Sequence, residues 1–173
     1  MTDADAKVRE FVADPKIVRE AFSQFPSGVA VLAVEVDEQK HGLVASSFMV
    51  GVSLDPCLVA FAVQKTSETW AALKNARAVG VSIFSKGQKN LPRQLAAKDR
   101  STRFNGVEVE VTSDGAVFVD DAALWFDCSI YDVSEAGDHW MVLLQVHRLG
   151  GGDVEPLIWH GARFRELAVE AIS

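Results

Sequence analysis

Apolar positions recur along this chain in two rhythms. Ile17, Val18, Ala21, Phe22 and Phe25 fall at the spacing of one helical face. Asp14-Pro15 supplies an N-cap and a proline at the first helical position, where a missing N–H costs nothing. Pro26-Ser27-Gly28 stops the pattern, and the rhythm turns to strands. Val29–Val36 is apolar and β-branched, Asp37–Lys40 is a turn, and Leu43–Val52 is predicted as a second extended run that Asp55-Pro56 breaks. Leu58–Val63 shows no polar alternation, the pattern of a strand covered on both faces, by its own domain or by a subunit partner. A short helix is predicted over Ser67–Asn75, capped by Thr66 or Ser67, with Trp70 and Leu73 on one face. Val79–Phe84 reads as a strand, and Asn90-Leu91-Pro92 opens another short helix that runs to Ala97, with the proline in its first turn.

The second half reads almost wholly as strand. Val107–Val111 and Ala116–Val119 are weak strands around Thr112–Gly115. Leu124–Val133 and Trp140–Leu149 are strong ones, joined by a hairpin-like loop from Ser134 to His139. Gly150-Gly151-Gly152 is predicted as a flexible break, and Leu157–Trp159 as a last short strand. About eight strands with hairpin spacing and three short helices predict a mainly β, closed or nearly closed antiparallel barrel. No repeat or linker interrupts the 173 residues, so a single domain over 1–173 is expected.

Composition narrows the function classes. The chain is 49% hydrophobic and 24% charged, a globular profile. Seventeen Lys and Arg against 24 Asp and Glu give a net charge of −7, with none of the clustered positive charge that duplex binding needs, so no nucleic-acid partner is expected. Apolar runs such as Val29–Val34 fall far short of the roughly 18–20 residues of a membrane helix. The acidic start Met1–Asp5 lacks the basic and apolar regions of a secretory signal. Cys57 and Cys128 make neither a disulfide framework nor a four-ligand metal site. A soluble, cytoplasmic protein without a metal is the expectation.

Catalytic motifs are sparse. His41, His139, His147 and His160 share no metal-ligand spacing. There is no Gly-x-Ser-x-Gly elbow, no Gly-x-Gly-x-x-Gly after a strand and no phosphate loop. Asp120-Asp121 lies in a predicted turn and reads as solvated. Two polar clusters stand out. Ser46 and Ser47 put adjacent hydroxyls in an apolar strand, where the plain alternative is a polar outer face. Lys65-Thr66-Ser67-Glu68-Thr69 puts three hydroxyls and a cation where a strand enters a helix, which suits a phosphate but equally suits ordinary capping.

Taken in order, several segments resemble the flavin-reductase-like FMN-binding family, which includes reductase components of two-component flavin-dependent monooxygenases. They are Phe22–Val29, Gly42–Phe48, Ser53–Pro56, Ser67–Trp70, Arg103-Phe104-Asn105-Gly106, Gly137-Asp138-His139 and Trp159–Arg165. The resemblance runs from about Val18 to Leu167 and implies a split β-barrel that dimerises, with flavin near the subunit interface. It implies that Val44, Ala45, Ser46 and Ser47 line the isoalloxazine ring and ribityl chain, and that Phe61, Ala62 and Val63 pass the ring through their backbone. Ser67, Thr69 and Arg93 resemble the phosphate end. His139, as the catalytic candidate, and Trp159-His160-Gly161 resemble the nicotinamide side.

The activity implied is an NAD(P)H:flavin oxidoreductase that uses NADH or NADPH to reduce FMN or FAD and supplies the reduced flavin to a monooxygenase. A flavin carrier with little nicotinamide oxidation and a split-barrel oxidase acting on a small molecule are the alternatives. Hydride transfer between cofactors needs no protein nucleophile, which accounts for the missing catalytic motifs. The chain departs from the family pattern at Cys57, Ser82, Gln94, Leu144 and Gly161-Ala162. Arg93 stands beside Gln94 as the substitute for a helix arginine.

Overall fold

The computed structural model describes residues 10–168. Its elements are helix α1 (Pro15–Ser23), strands β1 (Ser27–Gly28), β2 (Ala30–Val36), β3 (Gln39–Ala45), β4 (Met49–Leu54) and β5 (Cys57–Gln64), helix α2 (Glu68–Leu73), β6 (Val79–Ile83), helix α3 (Leu91–Leu95), β7 (Val109–Val111), β8 (Val117–Val119), β9 (Leu124–Ala136), β10 (His139–Gly151), β11 (Ile158–His160) and β12 (Arg163–Arg165). Seven strands form an antiparallel sheet in the order β3-β2-β6-β9-β10-β5-β4. The sheet is not closed by a continuous ladder. It curls until β3 and β5 are in contact across a split. A three-stranded sheet β1-β11-β12 and the β7–β8 hairpin complete the strands.

Strand alternation divides the apolar residues between two cores. Leu32, Val34, Phe61, Val81, Val142 and Leu144 pack inside the curl, with Trp70 of α2 edge-on to Phe61 at 6.0 Å. Val29, Val31 and Ala33 face the other way, onto Phe84, Leu95, Val117 and Leu157. The expectation that Leu58–Val63 is covered on both faces holds for Leu58–Phe61 and Val63, which are buried, but not for Ala62, which is half-buried.

Four expectations change in detail. The run Leu43–Val52 is two strands, because Ser46-Ser47-Phe48 leave the ladder between β3 and β4. The loop Ser134–His139 shrinks to a Gly137-Asp138 turn, as pairing continues to Ala136↔His139. Gly150 and Gly151 do not break the chain but extend β10, paired with Trp125 and Leu124. The last strand is followed by β12, which supplies its partner. The helix at Asp14 forms with its predicted cap, the Asp14 carboxylate accepting from Lys16 N–H at 2.8 Å. Its apolar face is nevertheless unpacked, leaving Ile17 and Phe22 exposed. The reading of Met1–Asp5 lies outside the described residues, and among those described no helix is long and apolar enough to cross a membrane.

Candidate functional site

A cleft of about 230 Å³ opens where the end of β3 approaches α3 and the small sheet. Val44 and Ser46 form one wall, Trp159 and Phe164 the other, with Pro92, Arg93 and Ala96 from the α3 segment and Val29 completing it. The aromatic wall is rigid for a local reason. Gly161 and Ala162 both take positive φ (61° and 56°) in the tight turn between β11 and β12. That turn folds Phe164 back beside Trp159, the rings meeting edge to face at 5.1 Å. Gly161 N–H also donates to the Ser23 carbonyl at 2.7 Å, tying the turn to α1. Arg93 lies over the Phe164 ring at 5.9 Å, and among the described residues it has no carboxylate partner.

Four of the sequence-predicted residues, Val44, Ser46, Arg93 and Trp159, therefore share one cleft. Ala45 does not face it, because alternation along β3 turns its side chain into the inner core. Phe61 and Val63 are likewise core residues, and β5 is paired with β10 from Leu58 to Gln64, so of the three only Ala62 is turned out of the core. Ser47 spends its hydroxyl on Ala62, accepting from the N–H at 3.1 Å and donating to the carbonyl at 3.2 Å. His160 takes the face of β11 opposite Trp159, and Gly161 serves the turn.

The phosphate-end candidates have partners of their own. Ser67 caps α2, its hydroxyl accepting from Trp70 N–H at 3.3 Å. Thr69 is buried, and its hydroxyl accepts from Arg103 Nη1 at 3.0 Å. Arg103 also donates to the carbonyls of Gly42 and Ala97, both at 2.8 Å, and so locks β3, α2 and the α3 segment together. Burial, with Arg100 nearby, lowers its pKa from the ordinary value. Gln94 donates to the carbonyls of Arg103 and Asn105 at 3.1 and 2.8 Å and faces this network rather than the cleft.

His139 opens β10 opposite Gln64, at the corner where β5 leads into α2. Its Nδ1 lies 2.7 Å from Asp138 Oδ1. The hydrogen bond from His139, together with its charge, holds the Asp138 carboxyl below its usual pKa. An ionised carboxylate only accepts, so Nδ1 carries the proton and Nε2 is left for a ligand. Lys65 stacks on Trp140 at 4.9 Å beside this corner and donates its backbone N–H to the Asp138 carbonyl. His139 and the Trp159 wall share no contact or cleft among the described residues. A larger cleft of about 300 Å³ around the Asp127–Arg148 ion pair contains none of the predicted residues.

Sequence reasoning missed Val29, Pro92, Ala96 and Phe164 as lining, and Arg103 as the organiser behind it. Arg103 and Phe164 both lie within the quoted family segments, where their motifs were the available signal.

The cleft suits a flavin on its own terms. Apolar and aromatic walls receive a planar ring, Ser46 offers an exposed hydroxyl, and Arg93 offers an uncommitted cation for a phosphate. Comparison with known proteins agrees. The chain is 33% identical over 150 residues to a flavin reductase of Pseudomonas putida, covering 86% of this chain and 87% of that protein. It is 27% identical over 161 residues to the flavin-dependent monooxygenase reductase subunit HsaB of Rhodococcus jostii RHA1, covering 92% and 82%. The solved NADH:FAD oxidoreductase SgcE6 of Streptomyces globisporus C-1027, in complex with NAD and FAD fragments, superposes with a TM-score of 0.85 at 30% identity, over 94% of this chain and 99% of that one. The profile described as Flavin reductase like domain matches residues 22–168, and the chain belongs to that family.

Proposed function

We propose that this protein is an NAD(P)H-dependent flavin reductase that reduces FMN or FAD and supplies the reduced flavin to a partner monooxygenase. The observation that carries the reading is the cleft in which Val44, Ser46, Arg93 and Trp159 converge, within a chain of the flavin reductase family. When bound, the flavin accepts hydride at N5 from nicotinamide C4, so the redox chemistry belongs to the cofactors. Val44 and Trp159 would hold the flavin ring, Ser46 would hydrogen-bond it, and Arg93 would pair with its phosphate. The cleft is open to solvent, which suits a flavin that must leave once reduced. His139 orients the nicotinamide or hydrogen-bonds the flavin through Nε2, held in place by Asp138 at Nδ1.

A second copy of the chain completes the site in this reading. The exposed side chains of Phe22, Phe25 and Leu54 support it, since none is covered by another of the described residues (73%, 77% and 90% exposed). Steady-state oxidation of NADH and NADPH, with FMN, FAD or riboflavin added in turn, tests the activity. Oxidation that requires added flavin is the expected result. A protein that binds flavin without nicotinamide oxidation would be a carrier, and oxidation of a third substrate by tightly held flavin would make it an oxidase.

A further inference from the structure

β4 pairs with β5 from Leu54↔Cys57 to Met49↔Ala60 and goes no further. Beyond Ala60 the edge of β5 has lost that neighbour, and among the described residues no ladder joins it to β3 across the split. Ala62 turns both backbone groups toward this gap, where each would otherwise lack a protein partner. The Ser47 hydroxyl meets both, at 3.1 and 3.2 Å, and so reproduces with one side chain the paired bonds of a neighbouring strand. A hydroxyl suits the place because it donates and accepts through a single atom. The flanks of Ser47 are anchored as well. Ala45 is set in the inner core, and Phe48 packs against that core with its ring 5.9 Å from Phe126.

We infer that Ser47 is a positioning residue, a stitch between the β3–β4 connection and β5 that sets where Ser46 and Val44 stand in the flavin cleft. This rests on the reading of the cleft as the flavin site. Ser47 acts on the ligand through its neighbours, since its own hydroxyl is engaged by Ala62.

Amide hydrogen exchange at Ala62 and titration with FMN and FAD, on the full-length protein, test the stitch. Ser47→Ala is expected to speed Ala62 exchange about tenfold and to weaken flavin binding about tenfold. Ser47→Thr keeps the hydroxyl and restores both, while Ser46→Ala leaves Ala62 exchange at the wild-type rate. Should Ser47→Ala fail to fold, Ser47→Cys, a poorer donor and acceptor, takes its place with the same two readouts. Lost flavin affinity with unchanged Ala62 exchange makes Ser47 a direct ligand and overturns the inference. Faster exchange with unchanged affinity reduces it to a structural bond and overturns it too. If the unaltered protein binds neither FMN nor FAD, the flavin reading fails and the positioning role with it, while Ala62 exchange still reports separately on the stitch.

Discussion

Arg93 and Gln94 are neighbours on α3 with different partners. Gln94 is held by two carbonyls of the Arg103 segment, whereas Arg93 rests on an aromatic face and is free to exchange it for an anion. Replacing Arg93 with Gln should therefore weaken FMN and FAD about tenfold, the scale of one charge-assisted contact at an exposed site, and leave riboflavin unaffected. Equal weakening of riboflavin would remove the phosphate role. His139→Ala is expected to lower kcat/KM for NADH roughly tenfold with a smaller change in flavin affinity. The Asp138 partnership sets its acid limit. Because the folded carboxyl titrates below its ordinary 3.8, the pairing contributes at higher pH and is lost only as pH falls through that lowered value. An NADH profile that follows Asp138→Asn at neutral pH would show the imidazole acting through this partner. At this scale the sequence was most legible where a residue's local geometry is its whole task. Ser67 as a cap is such a case. It was least legible at Ser47 and Thr69, whose hydroxyl partners lie 15 and 34 positions away in the chain.

Among the elements, the strands with strong apolar patterns formed close to where periodicity put them, and the misplacements have local causes. Ser46-Ser47-Phe48 carries the hydropathy of a strand but leaves the ladder to reach β5, so one run became β3 and β4. Arg163-Phe164-Arg165 is too short and too charged to announce a strand, yet the Gly161-Ala162 turn folds it onto β11. That short strand supplies Phe164, half the aromatic wall of the cleft. The crossing of β6 and β8 is tighter than any pattern reveals. A Cβ added at Gly80 would lie 2.2 Å from the Val117 carbonyl oxygen, a contact with backbone that no side-chain rotation relieves. Gly80→Ala should cost about 2–3 kcal/mol and lower Tm by roughly 4–12 °C, read by thermal unfolding. A variant as stable as the parent would mean that the hairpin β7–β8 can move away freely.

The whole molecule exposes more surface than its mass predicts. A compact monomer of 18.8 kDa should present about 8,300 Å², and this chain presents 11322 Å². Among the described residues, Phe22, Phe25 and Leu54 add to that exposure with apolar side chains of the kind a subunit interface covers. Light scattering at micromolar concentration is expected to show a dimer; a stable monomer there would confine the flavin site to one chain. The barrel itself was legible from strand count and hairpin spacing. Its split came from the family resemblance and not from strand count or spacing, because β3 and β5 meet through the Ser47 side chain rather than through a ladder. The same sheet leaves another margin open. β6 accompanies β9 only from Leu124 to Cys128, so the stretch from Ser129 to Ala136 has β10 on one side and, among the described residues, no strand on the other. Bare backbone of this kind recruits any extended peptide that passes, including an identical edge. Asp132 and Glu135 are exposed along that stretch, Glu135 paired with Lys65 at 3.5 Å, and salt screens the charge they place there. Concentrated, high-salt stocks are therefore where filament-like association should first be looked for.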